Sequence, residues 1–383
     1  MKKIYLIILI IALSFLSACT ASNDSKNIIL EDAFSITPYI NIIGKKNDIR
    51  KYEASIYNDL SEELTKLDDK FSVNKEDSIV SKINQNSGKE YVSLDDEALK
   101  VISAAYQVSL ETEIDKKESK YDITIYPLVE KWNFKERYFH GNNYYDPLDE
   151  EEALSLCELV SYKKILFDDN KIMLKDEGMK IDLGSIVKGY ACDKLAEIMD
   201  AKYPYFSYII NIGGNIFTKG TTKRESRVSD FHIGIQTPFY DELKQSITSD
   251  EIRENAYYVG YVTSTQGGTT VVTSGIYERY IKDEKGQMYH HILDKETGYP
   301  IDNELYSITI IYDGKNMSIY ADAYSTALFS MGLGALSFAN EKSLSIVVVT
   351  KNKEVYVSEK IKDRFVYNEV LNSCGYTYKV GNN

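Results

Sequence analysis

Residues 180 to 190 read Lys180-Ile-Asp-Leu-Gly-Ser-Ile-Val-Lys-Gly-Tyr190, and a helical pattern continues from Ser185 to about Met199. Gly184 and Gly189 bracket the start of that helix, with Asp182 just before it and Lys188 in its first turns. Small residues at a helix N-terminus let backbone N–H groups and the helix dipole face a phosphate. The lysine adds a mobile positive charge. The spacing is not that of a Walker A loop, because Tyr190 stands where that motif needs lysine, and it is not G-x-G-x-x-G. An ordinary strand-to-helix turn accounts for the same residues.

Working outward, a strand from Tyr208 to Ile212 leads into Gly213-Gly214, and a hairpin is expected over Lys164–Lys175 around Asp169-Asn170. Toward the N-terminus, Ile49, Tyr52, Ile56, Leu60, Leu64, Leu67 and Phe71 recur at helical spacing, and a second helix is expected from Leu94, with Ser93 and Asp96 as a capping box. Toward the C-terminus the pattern predicts strands at Phe231–Gln236, Tyr257–Thr263, Thr269–Thr273, Met288–Leu293, Ser307–Tyr312, Ser345–Thr350 and Glu354–Ser358, with a helix near Ala321–Met331. The stretches Lys219–Ser229 and Asp241–Glu254 read as surface loops. Helices and strands alternate without a βαβ repeat, so the expected class is α+β, with mixed or antiparallel sheets and packed helices.

Three further clusters carry chemistry. In Ala321-Asp-Ala-Tyr-Ser-Thr-Ala-Leu328, Asp322 and Thr326 share a helix face, and their hard oxygens suit Mg²⁺, which takes its remaining ligands from phosphate and water. The alternative is that Asp322 caps the helix and Thr326 back-bonds within it. The stretch Met288–Pro300 holds His290 and His291, which a strand would send to opposite faces, so one of them at most enters a given site. Incidental histidines before an Asp294–Gly298 turn are the alternative. Val272-Thr-Ser-Gly-Ile-Tyr-Glu-Arg-Tyr280 is a ligand-contacting turn, or a strand end with a solvated Glu278–Arg279 pair.

Taken in order, these clusters resemble the FAD:protein FMN transferase family, also called ApbE. The resemblance rests on Asp182 to Tyr190, Asn211-Ile-Gly-Gly214, Thr273-Ser-Gly275, His291 to Pro300 and Ala321-Asp-Ala to Thr326, with Lys120-Tyr-Asp122, Pro127-Leu-Val129 and Trp132 upstream. It implies one catalytic unit of ApbE-like, T-fold-related architecture over residues 32–383. It also implies that Lys120, Tyr121, Asp122, Asp182, Lys188 and Ile292 hold FAD, that Ser185, Asp322 and Thr326 contact Mg²⁺, and that His291 is catalytic. FMN would pass from FAD to a threonine or serine of an acceptor redox protein, releasing AMP. Hydrolysis of FAD to FMN and AMP, and flavin capture without chemistry, are the competing functions. The chain departs from the family at Ser35-Ile-Thr37, Tyr126, Ile276, Lys295 and Ser325, the last where some members carry a second metal carboxylate.

The N-terminus fixes where this would happen. Lys2 and Lys3, an apolar run from Ile4 to Phe15, and Leu16-Ser-Ala-Cys19 form a secretory signal ending in a lipobox. Residues 1–18 are therefore expected to be a lipoprotein signal peptide, and 19–31 a lipidated Cys19 with a flexible tether. The enzyme would be extracytoplasmic and lipid-anchored to the cell membrane. A chain of 383 residues with 43% hydrophobic content can bury a real core. A net charge of −13 argues against nucleic acid or anionic lipid as a partner. The other cysteines, Cys157, Cys192 and Cys374, lack C-x-x-C spacing, which argues against a zinc site or a disulfide framework.

Overall fold

A computed structural model describes residues 23–114, 118–139, 144–224 and 227–381. The signal peptide and Cys19 lie outside the described residues.

The centre is a nine-stranded sheet whose strands follow one another in chain order. They are β1 (Asn23–Ile29), β2 (Tyr39–Lys45), β3 (Ser207–Ile212), β4 (Asn215–Lys219), β5 (Thr269–Gly275), β6 (Leu305–Asp313), β7 (Ser345–Thr350), β8 (Glu354–Val357) and β9 (Thr377–Val380). Neighbours are antiparallel except β8 and β9, which run parallel from Glu354 opposite Thr377. This is the α+β class expected from the sequence.

The inner strands are buried on both faces, and the pleat sends alternate residues to different cores. In β7, Ile346 and Val348 join the core beneath the helices, while Val347 and Val349 join a second core on the other face. The first core is built with α1 (Lys46–Phe71), α2 (Asp96–Glu111), α3 (Val187–Lys202) and α4 (Ser318–Ser330). The second is closed by a three-stranded sheet of His232–Gln236, Tyr258–Thr263 and Phe365–Tyr367. The face of α1 is the one its spacing predicts, with Ile49, Ile56, Leu60, Leu64, Leu67 and Phe71 buried. A smaller cluster surrounds Trp132, whose ring stacks on Phe134 and whose Nε1–H donates to the Gly298 carbonyl at 2.7 Å.

Several expectations are corrected. Residues 23–29 pair with β2 along their whole length, so the segment expected to be tether to residue 31 becomes folded edge strand at Asn23. Its polar sequence hid this, because an edge strand with an exposed face needs few apolar residues. Asp95, not Ser93, caps α2, accepting from Ala98 N at 2.9 Å. The strand at Met288 stops at His290. The expected loops contain a hairpin, Thr222–Arg224 with Arg227–Ser229, and two short helices, Tyr240–Ser246 and Asp250–Asn255.

Candidate active site

Asp182, Gly184, Ser185 and Lys188 sit where the chain turns into α3. The Asp182 carboxylate accepts from Gly184 N at 3.1 Å, and the Lys188 ammonium donates to the Gly184 carbonyl at 2.5 Å. These bonds wind the turn tightly, and helical geometry begins at Val187 rather than Ser185. Burial pushes the Asp182 carboxyl above its usual range, while Gly184 N–H, Lys188 and Arg279 pull it back. The Ser185 hydroxyl donates to the buried Tyr121 hydroxyl at 3.2 Å.

α4 crosses α3 at Gly189, and the crossing places Asp322. The buried Asp322 carboxylate accepts from Gly189 N at 2.9 Å and lies 3.7 Å from the Lys188 ammonium. A Cβ on Gly189 would lie 2.1 Å from the Ser318 carbonyl oxygen and 2.7 Å from Asp322 Cβ. Only glycine lets the two backbones meet so closely. Gly189→Ala is therefore expected to lower unfolding stability by about 3 kcal/mol or more. Thermal and denaturant unfolding would check this, and a variant as stable as the parent would contradict the crossing.

Asp322 is thus no helix cap: it lies in the second turn of α4, which begins at Ser318. The cap comes from α3, where the buried Asp193 accepts from Ser318 N at 3.1 Å and Ile319 N at 3.0 Å. Burial raises the Asp193 carboxyl to about 6, against the pull of those N–H groups. The Ser325 hydroxyl donates to the Asp322 carbonyl at 2.8 Å and meets the Ser274 hydroxyl at 2.7 Å. Thr273-Ser-Gly275, expected as a turn, is the end of β5, and this contact ties it to α4. Thr326 is half-buried one turn beyond Asp322.

The donor chemistry fits Mg²⁺: one carboxylate from Asp322, hydroxyls from Thr326 and Ser185, and the remaining positions left for phosphate and water. No group of three or more His, Cys, Asp or Glu is gathered for a metal among the described residues.

The two histidines part company. His290 is buried, its Nε2–H donating to the Ile301 carbonyl at 3.0 Å and its Nδ1 accepting from Ile292 N at 3.3 Å. Both nitrogens are spent, and the ring packs edge-on to Phe329. His291 lies just past the strand, and its backbone N–H and Nδ1–H both donate to the Arg279 carbonyl, each at 3.1 Å. That fixes the tautomer and leaves Nε2 as a bare acceptor. Burial, then the Arg279 charge, lowers the His291 imidazole to about 3, and Lys188 acts in the same direction. Burial lowers His290 to about 4. Each favours the neutral ring in the folded state, so its contribution is complete above pH 6.5 and is lost as pH falls toward the folded values. His290→Asn is expected to melt below the parent at pH 7, with the gap narrowing toward pH 5. A gap that widens on acidification would contradict the buried neutral ring.

The Lys120–Asp122 stretch is stapled to the turn that follows His291. Lys120 pairs with Asp294 at 3.3 Å and Glu296 at 3.0 Å. The buried Lys295 reaches Asp122 at 3.4 Å. The Asp122 carboxylate also accepts from Thr124 N at 2.9 Å, Thr124 Oγ1 at 2.6 Å and Tyr162 N at 2.8 Å. Its side chain is therefore held inside the protein, where it ties the loop together. Burial raises the Tyr121 hydroxyl pKa, and Ile292 is buried, its carbonyl accepting from Ile301 N at 2.9 Å.

At the Asn211–Gly214 turn, Gly214 N donates to Asn211 Oδ1 at 3.1 Å, and both glycines have positive φ. Gly213 abuts the Ile36 side chain and the Lys188 stem, so the divergent Ser35-Ile-Thr37 segment borders the same cleft. The sequence reading undervalued Arg279, taken for half of a solvated pair. Its carbonyl orients His291, and its charge reaches both His291 and Asp182. The signal was present in its place four residues after Gly275.

Comparison with known proteins matches residues 36–348 to a family profile described as ApbE family. An FAD:protein FMN transferase of Klebsiella pneumoniae is 30% identical over 306 residues, covering 79% of this chain and 84% of that protein. One of Haemophilus influenzae is 26% identical, covering 94% of this chain and 96% of that protein. The crystal structure of the ApbE protein of Thermotoga maritima aligns with a TM-score of 0.70 at 28% identity, over 90% of this chain and 99% of that one.

Proposed function

The chain belongs to the ApbE family, and from that premise we propose that it transfers FMN from FAD to a threonine or serine hydroxyl of an acceptor protein, with Mg²⁺, releasing AMP. The observation that carries the proposal is the His291 imidazole. It is neutral, oriented through Nδ1, and has Nε2 free beside the charges of Lys188 and Arg279. Those two cations would attract a pyrophosphate to the neighbourhood of the imidazole. Ser185, Asp322 and Thr326 would hold Mg²⁺, which when bound supplies charge neutralisation at the pyrophosphate oxygens.

The chain's own groups then do the following. Asp182, Lys120 and the backbone around Tyr121 and Ile292 position FAD. His291 Nε2 takes the proton of the acceptor hydroxyl as its oxygen attacks the FMN phosphorus. The bond from that phosphorus to the AMP phosphate oxygen breaks, AMP leaves, and FMN stays on the acceptor as a phosphoester. Binding of an anionic dinucleotide opposes the positive field on His291 and raises its basicity toward the working range. Purified protein given FAD, Mg²⁺ and a candidate acceptor domain should release AMP only with the acceptor and leave it covalently fluorescent. AMP without acceptor would make the enzyme a hydrolase, and FAD binding without AMP would make it a carrier.

By its first 19 residues, the enzyme works outside the cytoplasm, tethered through a lipid on Cys19. Cys19→Ser is expected to shift the protein from the membrane fraction, while FMN transfer by the purified protein stays at the parent's level. A Cys19→Ser protein that remains lipid-labelled would refute the anchor.

A further inference from the structure

The strand register makes the reach from Cys19 short and gives it a direction. Asn23, the first residue of β1, lies opposite Lys45 at the end of β2. Four residue steps from Cys19 to Asn23 span at most about 14 Å. The same end of the sheet holds Ser207, where β3 begins opposite Ile43, and Thr221, whose N–H donates to Ser207 Oγ at 3.0 Å. The catalytic groups gather at the other end, around the β3–β4 turn at Gly213. The six residues of β3 separate the two ends by about 20 Å.

The anchor end is unlike the rest of this acidic chain. Lys45, Lys46, Arg50 and Lys51 are all exposed there, against Asp24, the half-exposed Asp48 and Glu53, the last paired with Lys26 at 3.5 Å. Lys51 sits over the Tyr52 ring at 4.6 Å, and that ring lies 6.0 Å from Tyr205, which is 60% exposed. Val228, in the hairpin that follows Thr221, is 70% exposed. Basic side chains beside exposed tyrosine suit the headgroup region of a bilayer, and each lysine or arginine near an anionic surface contributes about 1 kcal/mol. The net charge of −13 argues against such a surface only where the charge is evenly spread, and here it is not.

Resting on the Cys19 anchor, we propose that this end, formed by Lys45, Lys46, Arg50, Lys51 and Tyr205, is a membrane-facing surface that lies on anionic lipid. The catalytic cleft then opens away from the bilayer, toward acceptor domains held about a sheet's height above it.

The test is lysine footprinting of the acylated full chain on equimolar phosphatidylglycerol–phosphatidylcholine vesicles, compared with the same protein in detergent. Acetylation at Lys45, Lys46 and Lys51 is expected to slow about fivefold on the vesicles, the factor that corresponds to one such contact. Lys131 and Lys351 should keep their rates; Lys351 follows the far end of β7. On phosphatidylcholine alone the protection should largely vanish. Protein that floats with the vesicles but shows equal rates at both sets of lysines would overturn the proposal and leave the anchor standing. Equal protection on neutral lipid would also overturn it. Protein that does not float at all would overturn the anchor and the proposal together.

Discussion

Replacing Asp322 with alanine is expected to lower FMN transfer about a thousandfold or more, consistent with the several kcal/mol that a bound metal contributes to such transfers. Asp322 is the one carboxylate among the three groups assigned to Mg²⁺. Alanine also removes the acceptor for Gly189 N and the partner of Lys188, so part of the loss would be structural. Asp322→Asn separates the two effects. An amide oxygen can still accept from Gly189 N, so the melting temperature should stay close to the parent's, while the lost charge raises the Mg²⁺ concentration needed for half-maximal rate. An Asn variant with unchanged rate at low millimolar Mg²⁺ would remove Asp322 from the metal site.

The second large effect belongs to His291. A general base contributes roughly 10²–10⁴-fold in rate, and His291→Asn is expected to lose about that, with FAD affinity changed less. His290→Asn should transfer FMN within a few-fold of the parent, because its ring serves Ile301 and Ile292 rather than the cleft. Its cost appears in stability instead. Single-turnover transfer at saturating Mg²⁺ distinguishes them. A crippled His290 variant beside an active His291 variant would reverse the assignment. If neither slows, the proton goes elsewhere, and Asp294 is the next carboxylate to test.

The helices and inner strands were legible because their burial leaves a period in the sequence: α1 and β7 fall where their apolar spacing puts them. β1 was not legible, since an edge strand carries its hydrogen bonds in the backbone, and Asn23 to Asn27 offer little apolar signal. The site was legible as a set of motifs, but the work of each residue was not. The stapling by Asp122 could not be read from its motif, because Lys295, Thr124 and Tyr162 come to it from distant or non-motif positions. Asp322 looked like a possible cap, and the cap is Asp193 of another helix, a tertiary substitution that local pattern cannot reveal. Strand alternation does not distinguish His291 from His290, since the strand ends between them. Their different hydrogen-bond partners separate them.

The most direct test of transfer is to follow two products in one reaction. Purified protein, FAD, Mg²⁺ and an acceptor domain with a single reactive threonine are mixed, and AMP release and covalent flavin on the acceptor are measured over time. The account predicts that the two rise together, one AMP for each flavin attached, and that both stop when the threonine is replaced by valine. AMP that accumulates at the same rate with the valine acceptor, without covalent flavin, would contradict it.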